Sequence, residues 1–128
     1  MKYVELNPKG NFDPWDDCKI KELRAKKMNQ PTTDYLKYED DAIRLWIIAL
    51  EPYERLPFQK FKDSFSIICI SDGLAISRIM DGTISLLKFN EKDTCYQEVE
   101  GSGIVFDLEN IGKEILKIAV LEHKSLLQ

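Results

Sequence analysis

Apolar and polar positions alternate over short runs for most of the chain, and polar turn residues separate the runs. The stretch 68–89, ICISDGLAISRIMDGTISLLKF, shows this most clearly. Its two Asp-Gly pairs, Asp72-Gly73 and Asp81-Gly82, lie between runs of strand formers. Asp-Gly favours a tight hairpin because glycine takes a positive φ without steric cost. The spacing therefore predicts a three-stranded antiparallel meander over 65–71, 74–80 and 83–89. Further strands are expected at 34–38, 42–50, 56–61, 94–99, 104–109 and 114–122, with turns at 51–54, 100–103 and 110–113. The consecutive apolar residues Trp46, Ile47 and Ile48 imply a strand covered on both faces.

The first 33 residues read differently. Tyr3, Val4 and Leu6 form a short apolar cluster before the turn signal Asn7-Pro8-Lys9-Gly10. They suit a strand pairing back on the main sheet or an arm reaching a second subunit. Asp13-Pro14 has the form of an N-cap and first helical residue, predicting a short helix over 14–26 with Trp15, Cys18 and Leu23 on one side. A strand is the alternative, since Cys18 and Ile20 alternate with Lys19 and Lys21. A break follows at 29–33, and His123 with the tail 124–128 is expected to fray. The 128 residues make one domain, an N-terminal arm and helix (1–33) followed by a barrel (34–123). Nine or ten short strands joined by tight turns indicate a mostly β, jelly-roll barrel with one open mouth.

Composition narrows the partners. The formal charge is −4, with Lys and Arg scattered among Asp and Glu, so no basic stripe exists for nucleic acid. The segment 19–27 is basic but reads as a solvated face. No run approaches membrane-spanning length. The three cysteines, Cys18, Cys69 and Cys95, have no pairwise metal or redox spacing. Reduced thiols and a cytoplasmic address are the expectation.

The segment from Trp46 to His123 resembles the short single-domain bacterial cupins. Their first motif is G, five residues, H-x-H, four residues, E, six residues, G; from Tyr53 its offsets fall on Gln59, Phe61, Ser66 and Gly73. The second is G, five residues, P-x-G, two residues, H, three residues, N. Its offsets fall on Cys95, Gly101, Gly103, Phe106 and Asn110. Gly73, Gly103 and Asn110 match, and FDLENIG and the closing EILKIAVLEHK are similar to the family's last motif and strand. The resemblance implies a cupin double-stranded β-helix. The family's metal ligands would stand at Gln59, Phe61, Ser66 and Phe106. Phenylalanine has no lone pair, and an amide or hydroxyl binds a transition metal weakly, so no metal and no other cofactor is expected.

Function is then expected in one of two forms. The first is a small-molecule binder whose apolar pocket is lined by Gln59, Phe61, Ser66, Arg78 and Phe106, with the two phenylalanine rings in contact. The second is a metal-independent, isomerase-like enzyme using Gln59, Ser66 and Arg78. Arg78 shares a strand face with Ile76 and Met80, and is either an interior carboxylate-binding group or an arginine at the rim or on an outer face. Asp107 and Glu109 share a face opposite Phe106, as a catalytic pair or as two solvated acids. Cys69 suits a small buried position, and Cys95 begins a strand with only Lys92 as a basic neighbour. A homodimer is expected, pairing through strand 42–50 and the N-terminal arm.

Overall fold

The computed structural model describes residues 1–25 and 35–124. Ten strands and one helix occur among them: β1 (Lys2–Asn7), α1 (Asp17–Arg24), β2 (Leu36–Glu39), β3 (Ile43–Leu50), β4 (Arg55–Phe61), β5 (Phe65–Cys69), β6 (Gly73–Arg78), β7 (Ile84–Phe89), β8 (Thr94–Gln97), β9 (Ile104–Asn110) and β10 (Leu116–His123). They build two five-stranded sheets in the orders β1-β7-β6-β9-β4 and β2-β3-β10-β5-β8. Every pairing is antiparallel. The expected segments 29–33 and 125–128, and the end of the expected helix at 26, lie outside the described residues.

The two Asp-Gly pairs do different work. Asp81-Gly82 closes the β6–β7 hairpin as expected: the Gly82 N–H donates to the Ile79 carbonyl, and Gly82 has φ +104°. Asp81 has no positive φ, so the turn is the three-residue kind that ends on a left-handed glycine. Asp72-Gly73 makes no hairpin. β5 pairs with β10 and β8, whereas β6 belongs to the other sheet. The chain crosses between sheets there, and the expected three-stranded meander is really one hairpin plus a corner. Gly73 lacks a positive φ; it is small because an added Cβ would lie 2.7 Å from Leu116 Cδ1.

Inward-facing positions of both sheets form the core. Trp46, Ile48 and Leu50 of β3 meet Leu116, Ile118 and Val120 of β10, with Leu56, Phe61, Phe65, Phe89 and Leu108 facing them. Cys69 fills a small buried position, as anticipated. Asn110 is fully buried and ties three segments together. Its amide donates to the carbonyls of Leu50 and Glu114, and its Oδ1 accepts from the Gly112 N–H. At Gly103, φ is +103° and an added Cβ would lie 2.6 Å from the Phe61 carbonyl oxygen. The glycine and asparagine shared with the cupin motifs therefore shape turns and close approaches.

The helix starts later than expected. Asp16, and not Asp13, is the N-cap, its side chain accepting from the Cys18 N–H. Pro14 and Trp15 lie in the preceding turn, where the Trp15 N–H donates to the Phe12 carbonyl. Trp15 is drawn out of the helix by its own burial. Its ring stacks on Phe58 at 6.0 Å, and its Nε1 donates to the Gly82 carbonyl. One extra residue in β4 between Leu56 and Gln59 makes this contact: the bulge turns Phe58 onto the outer face, beside Val105. Ile20 and Leu23 pack there, while Cys18 is exposed.

Candidate functional site

Phe61 and Phe106 point inward from paired strands and stack, their ring centroids 5.4 Å apart and their planes 19° from parallel. Phe65 joins them, at 5.0 Å from Phe61 and 5.9 Å from Phe106. Trp46 meets Phe61 edge-on. This aromatic cluster divides the interior. Behind Phe61 and Phe106 lies a void of about 30 Å³, walled by Leu56, Phe89, Leu108 and other apolar side chains. In front of Phe65 and Phe106 lies a cavity of about 390 Å³.

The larger cavity occupies the mouth of the barrel. β1 and β7 supply Tyr3, Glu5, Ser85 and Leu87; β5 and β8 supply Ile67, Cys95 and Gln97; Ser77 and Ile104 line its depth. Tyr3, Glu5 and Gln97 are exposed at the rim. Its volume falls within the range of small-molecule sites, and its lining is mainly apolar with a few polar groups, as such sites usually are.

The sequence-expected site residues scatter. Gln59 is paired with Phe106 on the inner face and buried, and its Nε2 donates to the Pro57 carbonyl, but it does not line the mouth cavity. Ser66 points away from the interior, because Phe65 and Ile67 take the inward positions of β5. Its Oγ lies 2.9 Å from His123 Nε2 on the exposed face. His123 is the ordered last residue of β10, its N–H donating to the Ser64 carbonyl.

Arg78 is likewise outside the barrel, since Ala75 and Ser77 occupy the inward positions of β6. Its Nη1 donates to Asp107 Oδ2 at 2.9 Å and its Nη2 to Glu109 Oε1 at 3.0 Å. Gln59, Ser66 and Arg78 therefore share no site. Asp107 is no solvated acid either: it is fully buried and also accepts from Arg55 Nε and the Arg78 N–H. Arg55 in turn holds Glu22 of α1 through both Nη atoms. This outer-face network is a clamp that docks the helix on the sheet. Burial pushes the Glu22 carboxyl up, but the Arg55 hydrogen bonds and the Phe58 N–H together hold it below its ordinary value.

A second buried acid escaped the sequence reading. Glu122 faces inward from β10 beside Phe65 and Arg44, its Oε1 accepting from Trp46 Nε1 at 2.8 Å. Burial raises its pKa, with the Trp46 hydrogen bond and Arg44 acting against that rise. Glu122 supports the wall and does not line the mouth cavity. The cavity-lining residues Glu5, Ser77 and Ser85 were also missed. Alternation of Tyr3 and Glu5 against Val4 and Leu6 was the available signal for the first of them.

No protein-family model and no curated protein sequence matches the chain. Solved structures do. A cupin domain from Bordetella pertussis Tohama I superposes with a TM-score of 0.63 at 8% identity, over 70% of this chain and 90% of the other. An RmlC-like cupin family protein with a double-stranded β-helix fold, from Methanocaldococcus jannaschii, has a TM-score of 0.56 at 17% identity, over 69% and 75%. A cupin superfamily protein from Desulfitobacterium hafniense DCB-2 has a TM-score of 0.52 at 9% identity, over 70% and 74%. The fold is the cupin double-stranded β-helix.

The transition metal that this fold implies does not fit these residues. Of the four motif-equivalent positions, Phe61 and Phe106 offer no lone pair, Ser66 faces outward, and Gln59 holds a backbone carbonyl. Among the described residues no three His, Cys, Asp or Glu side chains converge as a ligand set.

Proposed function

We propose that this cupin-fold chain binds a small molecule in the mouth cavity, without a metal, over a floor of phenylalanine rings. One observation carries the reading: a cavity of about 390 Å³ opens directly in front of Phe65 and Phe106, and Phe106, like the Phe61 stacked on it, holds a position where the resemblance puts a metal ligand. Rings locked by mutual stacking give a ligand a pre-formed apolar surface at little cost in conformational freedom. The isomerase-like alternative loses its support, because the three side chains assigned to it lie on different surfaces.

A broad ligand screen by thermal shift tests this reading, followed by turnover assays on each hit. Hits should raise the melting temperature of the native chain and lose that effect in Leu87→Trp, which fills the cavity. Hits that persist in a folded Leu87→Trp variant would place binding elsewhere. Turnover of any hit would make the site an active site.

For assembly we propose a homodimer formed through the N-terminal strand. β3 is internal to its sheet, between β2 and β10, so it cannot pair edge to edge with a second copy as expected from sequence. β1 is an edge strand, and Tyr3, Val4 and Leu6 are 70%, 58% and 54% exposed. Such an edge invites pairing. Light scattering at micromolar concentration should give the dimer mass, and Val4→Lys should give the monomer. No helix among the described residues is long and apolar enough to cross a membrane.

A further inference from the structure

The inner wall of the mouth cavity carries a polar row with a single sign of charge. Glu5 of β1 is the register partner of Ser85 on β7, and Ser85 is the partner of Ser77 on β6. All three side chains line the cavity. Ser77 Oγ donates to the Asp107 carbonyl at 2.7 Å, which leaves its lone pairs to accept from a ligand. Ser85 is only 7% exposed, and among the described residues its hydroxyl has no hydrogen-bond partner. That hydroxyl opens onto the cavity, where it can accept from a bound donor.

Among the described residues Glu5 is the one side-chain charge in the lining, and no cation pairs with it. The Met1 ammonium, also at the rim, is engaged by Asp93 at 2.6 Å. Among the described residues no Lys, Arg or His lines the cavity. A carboxylate or phosphate entering here would lose water and gain no counter-charge, which is strongly unfavourable. An ammonium would meet a carboxylate and hydroxyl acceptors in one row. The opposite side of the cavity, with Phe65, Ile67, Ile104 and Phe106, is apolar.

Building on the small-molecule reading above, we propose that the cavity selects a cationic amphiphile: an amine on an aromatic or aliphatic body. The ammonium sits at Glu5 and Ser85, and the body lies against Phe106. Anionic ligands, including carboxylates and phosphate esters, are rejected by charge.

Three probes sharing one body separate the charge from the pocket: 2-(1-naphthyl)ethylamine, 2-(1-naphthyl)ethanol and 1-naphthylacetate. Each is titrated near neutral pH into the full chain, following the backbone amide resonances of Ser85, Leu87 and Phe106. The amine should bind about three- to fivefold more tightly than the alcohol, as for an ion pair at a partly exposed rim. The acid should bind more weakly than the alcohol. Raised salt should narrow the gap. Glu5→Gln should erase the amine's advantage over the alcohol. An acid bound as tightly as the amine, or an amine preference that survives Glu5→Gln, would overturn the charge assignment. Equal binding of all three would do so while leaving the pocket reading intact. Absence of any shift at the three resonances would overturn both.

Discussion

Arg55 Nε donates to the fully buried Asp107 carboxylate across 2.7 Å, while the same guanidinium grips Glu22 of the helix. One arginine thus joins α1, β4 and β9. Asp107 also anchors Arg78 by its side chain and its N–H. Asp107→Ala removes the acceptor for three donors and leaves Arg55 with Glu22 alone and Arg78 with Glu109 alone. The expected loss is about 3–5 kcal/mol, as for breaking a buried ion pair from one side. Urea unfolding should show it as a lower midpoint with an unchanged slope. A loss below about 1 kcal/mol would mean that Glu22 and Glu109 by themselves hold the two arginines.

Glu22 makes part of the clamp dependent on pH. Its carboxyl is held below the ordinary range in the folded chain, so its contribution is present above the unfolded value, about pH 4.3. It is lost as pH falls through the lower folded value. The Glu22 side chain is 34% exposed, so solvent screening limits the effect to about 1 kcal/mol or less. Glu22→Gln should be less stable than the native chain at pH 7, and the gap should close as the pH is lowered below about 4.3. A gap of constant size would assign the loss to packing.

Glu122 has the opposite sign. Burial raises its pKa, so the group favours the folded state fully below about pH 4.3 and loses that contribution as pH rises through its folded value. Above that value an ionised carboxylate is held in the core. Arg44 would not be orphaned by its removal, because it also bonds Glu39 at 2.8 Å. Glu122→Gln keeps an acceptor for Trp46 Nε1. Its stability relative to the native chain should therefore improve as pH rises above about 4.3 and level off once the pH passes the raised folded value. A parallel pair of stability–pH curves would refute this.

The two stacked rings differ in what lies behind them. Phe61 is 2% exposed and borders the small void but not the mouth cavity, whereas Phe106 borders both. Phe61→Ala should cost about 3–5 kcal/mol. Phe106→Ala should cost less, because part of that ring faces space already open, and it should merge the two cavities. Denaturant unfolding measures the first difference. A larger ligand accepted only by Phe106→Ala would register the second.

Two glycines test two reasons for being small. At Gly73 the obstacle to a Cβ is the end of the Leu116 side chain, and the backbone is unstrained. Gly73→Ala should cost about 1–3 kcal/mol and be partly relieved in combination with Leu116→Val. At Gly103 the obstacle is the Phe61 carbonyl and φ is +103°. Gly103→Ala should cost more than Gly73→Ala, and no side-chain truncation should rescue it.

Strand order along the chain, the hairpin at Asp81-Gly82, the inward direction of Phe61 and Phe106, and the buried Cys69 were all legible in the sequence. The first, second and fourth depend on alternation or turn chemistry within a few residues, where steric rules act locally; the direction of the two rings was implied by the cupin resemblance. The same rules misplaced Asp72-Gly73, because a hairpin and a crossing between sheets use the same residues. Only the pairing of β5 with β10, some fifty residues apart, distinguishes them. Ser66 and Arg78 were placed inside by motif spacing and by one strand's pattern; the inward choice on β5 and β6 depends on which sheet each strand joins. The burial of Asp107 had no local signal, since it requires Arg55, Arg78 and a docked helix to converge on it. The mouth cavity is of the same kind. Glu5, Ser85 and Ser77 are 72 residues apart from first to third in their cross-strand order. Chain connectivity says nothing of such a row until hydrogen bonding across three strands sets the register.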